Sequence, residues 1–184
     1  VYLLPLDVTD FDAAPSAAAQ AIAFSGRVDV LINNAGVSQR SLVKDTLFDV
    51  DRRMMGINFL GTVAISKAIL PHFLQNGKGH YVTVSSVTGK YGTPFRSAYS
   101  ASKHALHGFF DSLRAELEPE GIRVTLITPG VIKTPITYAA LTGDGTPLNQ
   151  PDKVNANGIE PDVFAEKMLR AVAGEKREKA ICGT

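Results

Sequence analysis

Residues 28–36 read VDVLINNAG, and the fold turns on them. A compact β-branched run over 28–32 stops in a polar turn that ends in glycine, Asn33-Asn34-Ala35-Gly36. A short apolar run of this kind fits a strand buried on both faces. Two further runs follow the same plan. Residues 80–84 (HYVTV) end in Ser85-Ser86, and residues 123–127 (RVTLI) end in Thr128-Pro129-Gly130, with Thr134 just beyond. Helical patterns separate them, over 15–24, over 44–76 with a break near 54–57, over 98–117 and over 161–173. The last is entered through a proline, which suits a first helical turn. Residues 1–6 and 179–181 are further strand candidates. Strands alternating with helices predict βαβ units, hence an α/β fold with a doubly wound parallel sheet in one domain over 1–184.

Composition narrows the function. With 184 residues, 45% hydrophobic and 20% charged, the chain can bury a sizeable core and is not a disordered segment. Nineteen basic against eighteen acidic side chains give a net charge of +1, which leaves no electrostatic footprint for nucleic acid or an anionic membrane. No uninterrupted apolar run reaches bilayer length, so no membrane segment is expected. A single cysteine, Cys182, excludes a disulfide framework and a cysteine-rich zinc site, and points to a reducing compartment such as the cytoplasm. His104 and His107 are three apart, but they fall off the apolar stripe of their helix and are expected on a solvated face, so no metal site is expected. The least regular stretch, 142–158, is rich in Gly, Asn, Asp and Pro. With the residues after Thr134 it reads as a substrate loop over about 134–160, in which Tyr138 and Leu141 would take part.

Parallel strands present their carboxyl ends at one edge, and ligands of open α/β sheets bind in the crevice there. The three turns named above would therefore converge. Each alone is an ordinary connector. The helix over 98–117 adds a second clue. At about 100° per residue, Tyr99, Lys103, Leu106, Phe110, Leu113 and Leu117 fall on one stripe. Taken alone, Tyr99 could fill core space and Lys103 could reach back to water. Ser86, 13 positions before Tyr99 at a strand end, makes a third partner. A phenol titrates near about 10, and an ammonium one helical turn away favours the phenolate. A serine hydroxyl beside it could hold a reacting oxygen. That is equipment for moving a proton on or off a carbonyl or alcohol oxygen.

The motifs NNAG at 33–36, Asn58, Ser86, Y-S-A-S-K at 99–103, and Pro129-Gly130 with Thr134 resemble, in order and spacing, the short-chain dehydrogenase/reductase family. The resemblance runs from about residue 1 to about residue 135. It implies a Rossmann-like fold and interconversion of an alcohol with a ketone or aldehyde, using NAD or NADP. It implies that Tyr99 is the acid/base, that Lys103 lowers its pKa and bonds the nicotinamide ribose, and that Ser86 orients the substrate carbonyl. Asn58 would anchor a water linking Lys103 to solvent. For the cofactor, Asp7 and Val8 would meet the adenine, Asn34, Ala35 and Gly36 would pack along its length, and Pro129, Gly130, Val131 and Thr134 would cover the nicotinamide. It also implies a homodimer or homotetramer paired through the helices over 44–76 and 98–117.

The sequence departs from the family in one respect. The glycine-rich turn T-G-x-x-x-G-x-G is absent, as is the strand that selects between the two cofactors. The first βαβ portion is therefore expected to lie upstream of Val1, on the order of about 30 residues or more, and residues 1–6 should not neighbour residues 28–32. The rival readings are a non-catalytic binding or scaffold protein on the same fold, an inactive truncated fragment, and an epimerase or dehydratase of the wider superfamily.

Overall fold

A computed structural model describes residues 1–150 and 156–183. The irregular stretch expected over 142–158 therefore falls partly outside the described residues. Helix α1 (Ala14–Ser25) precedes β1 (Val30–Asn33). Helix α2 (Phe48–Met55) runs through a π-helical turn, Gly56–Leu60, into α3 (Gly61–Gln75). Strand β2 (Gly79–Val84), helix α4 (Ser97–Leu117), strand β3 (Ile122–Pro129), helix α5 (Pro161–Ala173) and strand β4 (Glu178–Ile181) follow. The four strands pair in sequence order, all parallel. The register sets Asn33 beside Thr83 and Val84 beside Ile127, which brings the strand-end turns level.

The alternation along each strand explains both layers. Tyr81 on β2, with Ile122, Val124 and Leu126 on β3, points to one face and meets Ala18, Ile69, Phe73, Leu106, Phe110 and Leu113 from α1, α3 and α4. Val82 and Ile127 point to the other face and meet Ala171 of α5 and Ile181 of β4. Phe73, Tyr81 and Phe110 are fully buried, each contributing roughly 2 kcal/mol of apolar burial. Their rings meet at 5.0 and 6.0 Å between centroids. Helices thus cover both faces, as a doubly wound parallel sheet requires.

Three expectations are corrected here. Residues 1–6 are not a strand: they join no ladder, and Val1 and Leu3 stand exposed. Their apolar pattern suits a strand, but an extended segment becomes one only when a neighbour takes its N–H and C=O groups. The break expected near 54–57 is a widened turn inside one continuous helix, with Asn58 in it. That helix, Phe48–Gln75, is long and apolar enough to cross a membrane by length and composition, which no apolar run in the sequence announced. Its apolarity has a use within the fold, since Val50, Met54, Ile69 and Phe73 are buried against the neighbouring elements.

Candidate active site

The turns after β1, β2 and β3 meet the start of α4 around one cleft of about 520 Å³. Asn34 and Gly36 line it from the first turn, and Ser86 from the second. Pro129, Gly130, Val131 and Thr134 line it from the third. Tyr99 and Lys103 face it from α4, with Arg96 beside them. Its outer wall is apolar, built by Ile132, Ile136, Phe164 and Met168.

Tyr99 and Lys103 are both buried, on the inward stripe of α4. Lys103 Nζ donates to the carbonyl oxygen of Val84 at 2.9 Å, which fixes the amine where β2 ends. Ser86 caps a short turn, its Oγ accepting from Thr88 N at 3.2 Å and Thr88 Oγ1 at 3.0 Å. Ser86 and Tyr99 line the same cleft, and the Ser86 side chain acts on the phenol electrostatically. The expected lowering of the phenol pKa by Lys103 is not what the geometry gives. Burial holds the Tyr99 phenol above its ordinary range, against smaller downward pulls from Ser86 and the Arg96 charge. Burial pushes the Lys103 ammonium down to about 8. Taking either charge out of water costs more than these neighbours return.

Asn58 is fully buried and holds the turn after β1. Its Oδ1 accepts from Val37 N at 2.8 Å, while its Nδ2 donates to Val37 O at 3.0 Å and to Ser102 Oγ at 3.1 Å. The same carboxamide therefore joins the π turn, the strand-end turn and α4. Gly36 sits against it so closely that a Cβ there would stand 3.1 Å from Asn58 Oδ1 and 3.6 Å from Lys103 Nζ. Asp7 and Val8 lie elsewhere, in a second cleft with Ala35 and Arg53. The Asp7 carboxylate accepts from Thr9 N at 2.8 Å and Thr9 Oγ1 at 2.7 Å, which holds that carboxyl below its usual range. Ala35 thus faces one cleft while Asn34 and Gly36 face the other.

Two buried polar side chains beside the cleft escape the sequence reading: His107 is expected on a solvated face, and Gln39 is not singled out. His107 is buried rather than solvated, with its Nε2 2.9 Å from Ser85 Oγ. Ser85 Oγ donates in turn to the Lys103 carbonyl at 3.2 Å. The inward face of α4 is wider than the stripe of its large apolar residues, so position relative to Lys103, four residues back, was the available signal. Gln39 is fully buried against the start of α4 and carries no local signal at all. His104 is exposed, as expected, and no group of three metal-ligating side chains exists among the described residues. Leu141 is not a free loop residue: it is buried, and its backbone pairs with residues 38 and 40. Tyr138 is exposed.

The chain is similar to known proteins in sequence and in fold. The short chain dehydrogenase family matches residues 1–144. Dehydrogenase/reductase SDR family member 7B of Xenopus laevis is 47% identical over 182 residues, which are 99% of this chain and 56% of that protein. The chain thus spans just over half the length of this curated relative. Among solved structures, a short-chain dehydrogenase from Streptomyces avermitilis aligns with a TM-score of 0.86 at 31% identity, over 98% of this chain and 70% of that one. The NADP-bound structure of ElxO aligns with a TM-score of 0.70 at 34% identity, over 72% of this chain and 54% of that one. Sequence motifs, strand order and the shared cleft agree with these likenesses, and the chain belongs to the short chain dehydrogenase family.

Proposed function

We propose that this chain carries the acid/base half of an oxidoreductase site that interconverts an alcohol with a ketone or aldehyde, using NAD or NADP. The observation that carries the reading is the gathering of Ser86, Tyr99 and Lys103 on one cleft at the carboxyl edge of the sheet. The family resemblance and the NADP bound to ElxO support the cofactor class.

The residues fit the nicotinamide end of such a cofactor. Gly36 leaves open the ground before Asn58 and Lys103 that a side chain would fill. Asn34 and Gly36 with Pro129, Gly130, Val131 and Thr134 would hold that end, and Asp7, Val8 and Ala35 the adenine end. A nicotinamide dinucleotide, when bound, supplies or accepts the hydride. The chain's own residues handle the proton and the oxygen. Ser86 holds the substrate oxygen within reach of Tyr99. A phenol held above its ordinary range stays protonated at neutral pH, so Tyr99 can give its proton to the oxygen formed on reduction. In the reverse direction it takes that proton back. Lys103, tethered to Val84 O, keeps further N–H groups for a ribose hydroxyl. Asn58 holds the floor through Val37 and Ser102, and is also placed to anchor a water for proton exchange.

The apolar outer wall suits a substrate with an apolar body. We place the substrate loop over about 134–160, and take residues 1–184 as part of one domain. A groove between α3 and α4, with Leu70 and Phe109 around Ala105, Gly108 and Ser112, supports pairing of like chains along these helices. The test is turnover of a carbonyl panel by the full-length protein with each reduced cofactor. Tyr99→Phe should lower kcat by at least about 100-fold while cofactor affinity is kept. Unchanged turnover by the variant overturns the assignment.

A further inference from the structure

Helix α4 begins in an unusual way. The first N–H groups of any helix lack partners within it, and a local Ser, Thr, Asp or Asn commonly takes one of them. The residue before α4 is Arg96, whose side chain makes no such bond. The partner comes instead from Gln39, on the stretch leaving β1. Its side-chain oxygen accepts from Ala98 N at 2.9 Å and from Tyr99 N at 3.2 Å. Its amide nitrogen donates to Ser41 Oγ at 3.1 Å, with Ser97 Oγ at 3.4 Å. One planar group thus offers an acceptor to two backbone donors and a donor to hydroxyls.

The backbone of the same residue is held as firmly. Gln39 forms an isolated parallel bridge with Leu141. Arg40 N donates to Leu141 O and Leu141 N to Ser38 O, each at 2.8 Å. The Leu141 side chain packs with Val50, Met54, Ala98 and Tyr99. Gln39 does not line the cleft, although its neighbour Ser38 does. It is therefore placed to act on the reaction only through what it holds.

We propose that Gln39 is a positioning residue for Tyr99: its side-chain carbonyl fixes the first turn of α4, and with it the reach of the phenol to Ser86. This inference rests on the acid/base reading of Tyr99 given above. A glutamate at position 39 keeps the acceptor, and the hydroxyls of Ser41 and Ser97 can rotate to donate to it. Its charge is favourable at a helix start but disfavours a phenolate nearby. A methionine keeps the length and removes the acceptor.

Gln39→Met, Gln39→Glu and Tyr99→Phe are compared in the full-length protein by amide hydrogen exchange over the first turn of α4, and by kcat and KM across pH. In Gln39→Met, exchange at Ala98 and Tyr99 should quicken about tenfold or more and kcat should fall about tenfold, with the substrate KM within about twofold. Gln39→Glu should recover slow exchange, and the limb of the kcat profile that belongs to Tyr99 should move to higher pH. Wild-type exchange and kcat in Gln39→Met overturn the inference. So does a rise in KM at constant kcat, which would place Gln39 in substrate binding. Should Gln39→Met fail to accumulate, Gln39→Glu decides alone, and an unmoved pH limb overturns the inference. If exchange responds as expected but wild-type turnover does not depend on Tyr99, the helix cap stands and the acid/base reading of Tyr99 fails.

Discussion

The Lys103 ammonium lies 5.8 Å from the centroid of the Tyr99 ring, and both groups are buried. Burial acts on them in opposite senses on the pKa scale and in the same sense chemically: each is driven toward its neutral form. The pair is thus assembled against its own solvation, as functional sites commonly are.

A stability measurement can read this cost. The folded pKa of Lys103 is about 8, below the ordinary 10.5. Below about pH 8 both states hold the proton, and the fold bears the full penalty. From there to about pH 11 the unfolded chain keeps a proton that the fold has lost, so stability rises with pH, by roughly 3 kcal/mol for this group. Lys103→Met should remove that rise, read as the difference from wild type in urea unfolding across the window. A variant whose stability climbs as the wild type's does would contradict the burial account.

Gly36 offers a test of the floor. A methyl group there would press on Asn58 Oδ1, which cannot retreat because Val37 and Ser102 hold the carboxamide from both ends. Gly36→Ala should cost about 1–3 kcal/mol of stability and also lower kcat, since the same methyl stands near Lys103. Chemical denaturation with parallel kinetics checks both. Full stability and turnover would show that the floor yields.

His107 predicts an acid effect. Burial first, then the charge of Lys90, depresses its pKa below 6.5. Above that value it is neutral in both states. As pH falls below 6.5 the unfolded chain takes up the proton first, so this residue's share of stability is lost on acidification. His107→Gln, which can still meet Ser85, should flatten that loss. Urea midpoints at about pH 7 and about pH 5 give the answer, and equal slopes in variant and wild type would refute it.

Much of this is legible in the amino-acid sequence. Ser86, Tyr99 and Lys103 could be brought together because a parallel sheet fixes where strands end and a helix fixes which residues share a face. Pro161 marked the start of α5 to the residue. What failed has physical causes. Residues 1–6 have a strand's composition, but composition does not supply the neighbour that makes a ladder. The spacing of Tyr99 and Lys103 gave their proximity and said nothing of desolvation, so the direction of the phenol's shift was misjudged. Gln39 caps a helix whose first residue is 58 positions away, and no local pattern encodes a cap of that kind.

The widened turn at Gly56–Leu60 has an evolutionary consequence. Such turns accommodate one surplus residue while the flanking helices keep facing the same way. Removing one residue there should let the backbone rewind into an ordinary spiral, with Val50 and Phe73 still seated. What would be lost is the aim of a single carboxamide. That surplus residue is carried for marksmanship rather than for strength.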